Sequence, residues 1–289
     1  MSTTILSILS GLGGMFGWGI SDFLGGVCSR RKGPFITLFW SQLAGLVLTI
    51  AIIPIFSMRL EIPGNTLLLI SFLPILYAAA LLLFYKGFEK GTISIIAATV
   101  NLWAVFAMFF AFVFLGQRLS QFQSLGVMMI IGGVTMVSLK WRDLKKHTLN
   151  RSSGIKETVL AAFLFGIYFN LSEVVVEKIG WLATTLYVKV GIIFLLLLFS
   201  LAIKRKLSLS ETPPITIVLI VLVGVLEAAG SAVVNYGFSV GDVILITPIT
   251  SALSIITIAM AIIFLKETIT KTQGFGIVLA ISGIIFTGF

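Results

Sequence analysis

Apolar residues run along the chain in long stretches that are separated by short polar segments. About 20 residues in a helix cross a hydrocarbon core of about 30 Å, and most of the stretches have close to that length. They predict ten membrane-spanning helices, at residues 5–27, 35–56, 66–87, 92–115, 121–139, 156–177, 182–203, 215–237, 242–265 and 271–288. Because the connections are short, we expect consecutive helices to be antiparallel neighbours. The sequence therefore predicts an all-α polytopic membrane protein.

Composition excludes the soluble classes of protein. Of the 289 residues, 58% are hydrophobic and 11% are charged, against about 45–50% and about 25% in soluble domains. The net charge of +9 would suggest nucleic acid in a soluble protein, but here most basic residues lie in loops, so we expect the bilayer as partner and no nucleic acid. Cys28 is the one cysteine and His147 the one histidine, so we expect no disulfide, no metal site and no cofactor.

Loop charge predicts the orientation of the chain. If the N-terminus is outside, the inner loops hold 16 lysines and arginines and the outer loops hold 3, while Lys189 lies within a span. Cytoplasmic loops carry the excess of basic residues in membrane proteins. We therefore expect a multi-pass protein of the cytoplasmic membrane with both termini outside.

The two halves of the chain resemble each other. A shift of 150 residues aligns 85–139 with 235–289 without gaps and gives 11 identities, including Gly126 with Gly276 and Gly133 with Gly283. We predict two five-helix repeats, 1–139 and 156–289, joined by a basic loop at 140–155. Because each repeat has an odd number of spans, the second enters the membrane inverted, as in many transporters. A duplicated channel or scaffold is the alternative.

Several motifs resemble those of one transporter family. They are Phe-Gly-Trp-Gly-Ile-Ser-Asp-Phe at 16–23, Gly-Phe-x-x-Gly at 87–91 and 237–241, and Leu-Lys-Glu-Thr-Ile at 265–269. With the five-plus-five repeat, they resemble the EamA-type branch of the drug/metabolite transporter superfamily. The resemblance implies a central cavity lined mainly by spans 1, 3, 4, 6, 8 and 9. Family members move amino acids, sugars, phosphorylated or nucleotide-linked metabolites, amines and drugs.

The chain departs from the family pattern in two respects. Gln117 stands in the first half where Glu267 stands in the second, so the acidic residue at this exit occurs once. Several members of the family have cytoplasmic termini, whereas the loop charge of this chain places them outside.

Five charged residues of the predicted spans are candidates for function, namely Asp22, Glu173, Lys189, Glu227 and Glu177, of which Glu177 is close enough to a helix end to be interfacial. A charge near the centre of a membrane helix costs at least about 2.5–3.5 kcal/mol and usually serves function. Glu227, near the middle of span eight, is our candidate for a proton or substrate-amine site. Lys189 is its candidate partner, but a permanent ion pair of Lys189 with Glu227 or Glu173, or an anion site at Lys189 alone, fits equally. Asp22 is a coupling candidate or a bridge to a neighbouring helix.

Uncharged candidates lie at similar depth. They are Trp18, Asn101, Trp103, Tyr168, Asn170 and Asn235. An aromatic wall with a few amides suits an amphipathic organic solute. The alternative is that these side chains make interhelical hydrogen bonds or packing contacts. Pro74 and Pro248 fall inside spans and are expected to kink them.

The sequence does not favour an enzyme. Gly-Phe-Ser-Val-Gly at 237–241 matches a hydrolase nucleophile elbow, but its context is a predicted helix end. We expect a secondary active transporter of a small organic metabolite, with an amino acid or amine-like solute favoured, driven by protons or exchange. Sugar or phosphorylated substrates, a membrane scaffold and an intramembrane enzyme are the alternatives. Spans five and ten, which are short and weakly polar, leave a homodimer open.

Overall fold

In the computed structural model the described part of the chain is helical and contains no strand. The structure describes residues 3–56, 62–91, 93–138, 154–265 and 270–287. The predicted basic loop, up to residue 153, and Glu267 lie outside these residues. The helices are α1 Thr3–Lys32, α2 Pro34–Ile52, α3 Leu67–Lys90, α4 Ile93–Val100, α5 Leu102–Phe114, α6 Gln121–Ser138, α7 Ile155–Ile179, α8 Trp181–Ala202, α9 Pro214–Phe238, α10 Val243–Ser251, α11 Leu253–Leu265 and α12 Lys271–Phe286.

Each predicted span coincides with one helix or with a pair of consecutive helices. Among the described residues, seven helical segments are long and apolar enough to cross a membrane, and three shorter apolar helices lie at Leu102–Phe114, Gln121–Met136 and Gly274–Phe286. Span four divides into α4 and α5 at Asn101, and span nine, which is one of the seven long segments, divides into α10 and α11 at Ala252. α1 is also longer than predicted and continues through Lys32.

Two single-glycine turns have the same geometry in the two halves. Gly33 joins α1 to α2 with φ 86° and ψ 153°, and Gly180 joins α7 to α8 with φ 85° and ψ 159°. Side chains with a Cβ rarely adopt this positive φ, so glycine allows each chain reversal within one residue. The first and second helices of each half are therefore connected in the same way.

The two halves are packed through each other rather than side by side. α1 packs along α9, α10 and α11, while α3 packs along α7 and α8. α2 lies between α8 and α9. These pairings bring the first span of each half against the third span of the other, and the core forms where the two halves meet.

Glycines allow the closest helix crossings. A Cβ on Gly17 of α1 would lie 2.9 Å from the carbonyl oxygen of Leu226 and 3.0 Å from Cα of Gly230 in α9. Between α6 and α12, a Cβ on Gly126 would lie 2.7 Å from the carbonyl oxygen of Gly283. Small residues are favoured at such crossings because they let backbones approach. α6 and α12 therefore pack on each other, so a homodimer through spans five and ten would have to use the outer faces of these two helices.

The predicted proline kinks have different outcomes. Pro248 lies in α10, which ends at Ser251, so the chain is interrupted just after it. α3 continues past Pro74 without a break, and the ring of Pro74 lies beside Gly191 of α8. The absence of a side chain on Gly191 leaves room for this ring.

The outer surface of the bundle is apolar. Large side chains such as Phe114, Leu201 and Phe264 are exposed around the bundle, at 74%, 74% and 64%. In water such a surface would be an aggregation hazard, whereas lipid tails solvate it. With the long apolar helices, this surface indicates an integral, multi-pass membrane protein.

The two ends of the bundle differ. At one end, which we call the basic end, the guanidinium of Arg30 donates to the carbonyls of Phe88 and Gly91 at 3.1 and 2.6 Å. Lys90 forms an ion pair with Glu157 at the same end. At the opposite end the Trp181 ring packs against Phe56 and Tyr236. Loops predicted to share a side of the membrane therefore lie at the same end.

Candidate functional site

A central cavity lies where the two halves meet, near the middle of most of the helices that line it. The empty space between its lining residues amounts to about 400 Å³, part of which is open to solvent. Its lining residues come from α1, α3, α4, α5, α7, α9 and α11, and they are Trp18, Asp22, Tyr77, Leu81, Phe84, Val100, Trp103, Phe165, Phe169, Glu227 and Leu253. These helices correspond to predicted spans 1, 3, 4, 6, 8 and 9. The wall is aromatic and carries two carboxylates.

Glu227 is held by donors on both carboxylate oxygens. Oε1 accepts hydrogen bonds from the Tyr77 hydroxyl at 2.6 Å and from Ser231 Oγ at 2.9 Å. Oε2 accepts from Gln42 Nε2 at 3.0 Å and from the ammonium of Lys189. Because buried charges require pairing, this network compensates Glu227 from three neighbouring helices and from its own. We call these five residues the Glu227 network.

Lys189 lies behind the carboxylate rather than in the cavity wall. Its side chain is 1% exposed, and Nζ also donates to Gln42 Oε1 at 2.8 Å. Of the ion pairs expected from the sequence, the one with Glu227 forms and the one with Glu173 does not. An anion site at Lys189 alone is also not favoured, since both its partners are already in place.

A smaller polar space adjoins Lys189. It is lined by Tyr168 and Asn235, among others. The Tyr168 ring lies 4.4 Å from that of Tyr77. Asn235 donates to Thr185 Oγ1 at 2.9 Å and accepts from Ser172 at 3.1 Å, so it links three helices. Neither candidate lines the central cavity.

Asp22 lines the central cavity with no polar partner. Within the described part of the chain, no hydrogen bond or ion pair reaches its carboxylate. The expected bridge from Asp22 to a neighbouring helix is therefore absent from the structure. Its neighbours do make such bridges: Ser21 Oγ donates to the carbonyl of Val223 at 3.0 Å, and Trp18 Nε1 donates to the carbonyl of Glu227 at 3.2 Å.

Glu173 lies away from the cavity, at the end opposite the basic end. Its Oε1 accepts from the backbone N–H of Val243 at 2.9 Å, and its Oε2 accepts from Gln117 Nε2 at 2.7 Å. Gln117 Oε1 in turn accepts from the N–H of Ile244 at 3.1 Å. The first N–H groups of α10 are thereby satisfied, and a negative charge lies at a helix N-terminus, where it is favourable. We call this contact between the halves the Glu173 latch.

The breaks in the divided spans lie beside the cavity. Val100 and Trp103 flank Asn101 at the first break, and Leu253 follows the second break at Ala252. Asn101 is 8% exposed, and its amide nitrogen and oxygen have no hydrogen-bond partner within the described residues. Asn170 of α7, by contrast, makes a hydrogen bond between helices, because its Nδ2 donates to the carbonyl of Ala107 in α5 at 2.9 Å. Interrupted helices at a central cavity are typical of transporters.

Sequence reasoning missed part of the site. Tyr77, Phe84, Phe165 and Phe169 line the cavity, and Ser231 belongs to the Glu227 network. Ser231 has a local signal, because it lies four residues after Glu227 on one helix face. Aromatic residues are frequent in this chain, so nothing in the pattern separated the cavity rings from those that face lipid.

The nucleophile-elbow match has a structural role. Ser239 ends α9, and its Oγ donates to the carbonyl of Tyr236 at 2.6 Å. No strand precedes it in the described chain, and His147 lies outside the described residues. The geometry offers no support for catalysis at this serine.

Comparisons with known proteins identify a relative, a similar fold and a family for this chain. An uncharacterized protein of Methanocaldococcus jannaschii, MJ1333.1, is 32% identical over 130 residues, which are 44% of this chain and 90% of that protein. A crystal structure of a protein superposes with a TM-score of 0.77 at 14% identity, covering 97% of this chain and 95% of the other. At that identity the likeness shows the fold alone. The model of the EamA-like transporter family matches residues 5–139 and 152–289. The chain therefore belongs to the EamA-like transporter family.

Proposed function

We propose that the protein is a secondary active transporter that moves a small organic metabolite by alternating access. The observation that carries this proposal is the central cavity between the two halves, which is lined by two carboxylates and, within the described residues, by no lysine or arginine. An amino acid or amine-like solute suits such a wall. The lack of a basic lining residue speaks against phosphorylated and nucleotide-linked metabolites.

The architecture that we propose is ten spans in two inverted five-helix repeats. The matching turns at Gly33 and Gly180 support it, as do the breaks near Asn101 and Ala252. The interlocked packing of the halves supports it too. Two similar halves of opposite orientation can rock against each other and expose one site to each side in turn. The loop charge supports both termini outside.

Proton coupling or exchange is the energy source that we propose. A carboxylate at membrane depth that lacks a partner is suited to bind a proton or a substrate cation in turn. Asp22 fits this description, whereas Glu227 is already paired with Lys189. We therefore propose Asp22, rather than Glu227, as the residue that binds the coupling proton or the substrate cation.

Counterflow in proteoliposomes tests transport. Purified protein is supplied with pooled labelled amino acids, amines or sugars, with and without an imposed ΔpH. We expect accumulation from the amine or amino-acid pool, and dependence on ΔpH separates proton coupling from exchange. Failure of all pools to accumulate with folded protein would contradict the proposal.

A cysteine-accessibility experiment separates a transporter from a scaffold. In a Cys28→Ser background, Val100→Cys and Leu253→Cys place thiols in the cavity wall at the two helix breaks. Both positions are buried in this structure, at 2% and 3% exposure, but alternating access opens the cavity to water, so we expect an aqueous thiol reagent to label both. Ile192→Cys, at a fully buried position, is the control that should resist labelling. A scaffold without a solute pathway would protect all three.

A further inference from the structure

Only one of the two carboxylates in the cavity wall lacks a hydrogen-bond or ion-pair partner among the described residues. The Glu227 oxygens accept four hydrogen bonds, one of them from the Lys189 ammonium. The Asp22 carboxylate has no donor among the described residues, although it faces the same cavity. An isolated carboxylate in an apolar site is costly and calls for a cation or a proton.

The basic residues of the same helix are engaged elsewhere. Arg30 is bound to the carbonyls of Phe88 and Gly91, and Arg31 donates to Thr216 Oγ1 at 3.3 Å. Lys189 is separated from the cavity by its contacts with Glu227 and Gln42. Neither Lys189 nor these two arginines therefore supplies a counter-charge to Asp22.

Mutually packed aromatic rings line the cavity that Asp22 also lines. Trp18 lies one helical turn before it on α1, and the centroid of Phe169 lies 5.3 Å from that of Trp18 and 4.6 Å from that of Trp103. The Trp18 and Trp103 rings meet edge to face at 6.2 Å. Aromatic faces attract cations, and such cages recognise alkylated ammonium groups. We call Trp18, Trp103 and Phe169 the aromatic cage.

The chemistry of the wall separates an organic cation from a metal ion. Hard metal ions require several oxygen ligands, but the Glu227 oxygens are taken by four donors and the remaining lining groups are mainly rings and aliphatic side chains. The wall therefore suits an ammonium group attached to an apolar body.

We propose that the central cavity binds a monovalent organic ammonium ion, with the Asp22 carboxylate as its counter-ion and the cavity-facing side of the aromatic cage against its apolar body. The Glu227 network holds the helices behind this site and makes no ion pair with the ligand. The inference deepens the proposed function, on which it rests, because the bound cation is then the transported solute.

The test is equilibrium binding to the full chain in detergent micelles by isothermal titration calorimetry. The probes are phenethylammonium and 2-phenylethanol, which share a phenylethyl body and differ in charge. We expect the ammonium ion to bind and the alcohol to bind at least about tenfold more weakly, since it forms no ion pair. Equal binding of the two probes would overturn the proposal, and this comparison needs no variant.

Variants then locate the charge. Asp22→Asn keeps the shape of the side chain and should weaken phenethylammonium binding about tenfold or more. Glu177→Gln removes a carboxylate from an exposed position on α7 and should leave binding unchanged. Undiminished binding to D22N would overturn the assignment. Trp103→Leu introduces the residue found at the equivalent position of the other half, Leu253, and should also weaken binding of phenethylammonium. Unchanged affinity would contradict the proposed role of the aromatic cage.

The outcome is separable from that of the transport assay. Binding of phenethylammonium without counterflow of any pool would keep the site and contradict transport. Counterflow of a sugar or neutral amino acid without phenethylammonium binding would keep transport and contradict the cation site.

Discussion

The Tyr77 hydroxyl donates a 2.6 Å hydrogen bond to Glu227, and the two residues are 150 positions apart, which is the shift that aligns the following residues 85–139 with 235–289. Trp103 and Leu253, also 150 positions apart, both line the cavity. Equivalent positions of the two halves thus meet across the centre of the protein. One half supplies the carboxylate and the other supplies a donor for it, so the repeats have diverged in a complementary way.

Tyr77→Phe removes that donor and leaves Glu227 Oε1 with Ser231 alone. We expect a loss of about 1–2 kcal/mol of unfolding free energy, because the acceptor is charged and buried. SDS-induced unfolding in mixed micelles measures it. Tyr236→Phe, at a residue that is 39% exposed, is the matched control and should have no effect. Equal stability of the two variants would argue against a role for the hydroxyl.

Glu227→Gln leaves the Lys189 ammonium buried without a counter-charge. We expect destabilisation of about 3–5 kcal/mol, and recovery of most of it in the double variant Lys189→Met/Glu227→Gln. Glu157→Gln breaks the more exposed pair with Lys90 and should cost about 1 kcal/mol or less. The same unfolding assay serves all three. If the double variant is as unstable as Glu227→Gln, the loss of the ion pair does not explain the destabilisation.

Glu173→Gln weakens the Glu173 latch, because an amide offers one acceptor oxygen where the carboxylate offers two, and it removes the charge from the N-terminus of α10. We expect a loss of about 1–3 kcal/mol. Labelling of Val243→Cys by an aqueous thiol reagent should also become faster in the Glu173→Gln background. Glu177→Gln, one turn further along α7, is the control. Unchanged labelling would mean that the latch does not close this end.

Gly17→Ala tests the close crossing of α1 and α9. The added Cβ would lie 2.9 Å from the Leu226 carbonyl oxygen, with backbone rather than a movable side chain in its way. We expect a loss of about 1–3 kcal/mol from overpacking. At Gly274, nothing lies within 4 Å of an added Cβ, so Gly274→Ala should be neutral or slightly stabilising. Thermal unfolding in micelles compares the two, and similar transition temperatures would contradict the packing argument.

The candidate site was partly predictable from the sequence. Asp22 and Glu227 stand out because charges are rare in apolar spans, and both line the cavity. Glu173 stands out for the same reason but belongs to a contact at one end of the bundle. Depth along a helix can be counted from the sequence, but the face that a residue presents depends on its neighbours. Tyr77 and Phe169 carry no signal that distinguishes them from other aromatic residues of the chain.

The sequence by itself determined the membrane class, the approximate helical segments, the duplication and the family resemblance. These properties can be read from short stretches of sequence or from their repetition along the chain. A helix that crosses the bilayer requires an apolar stretch of sufficient length, and the two halves share glycines and motifs at matching positions. Only the tertiary structure decided that Lys189 pairs with Glu227, that Asp22 has no hydrogen-bond or ion-pair partner among the described residues, and that two spans break beside the cavity. Pairing depends on which helices pack together, and it joins residues as distant in sequence as Gln42 and Glu227. No pattern within either helix specifies such a contact, because its free energy comes from burial between helices.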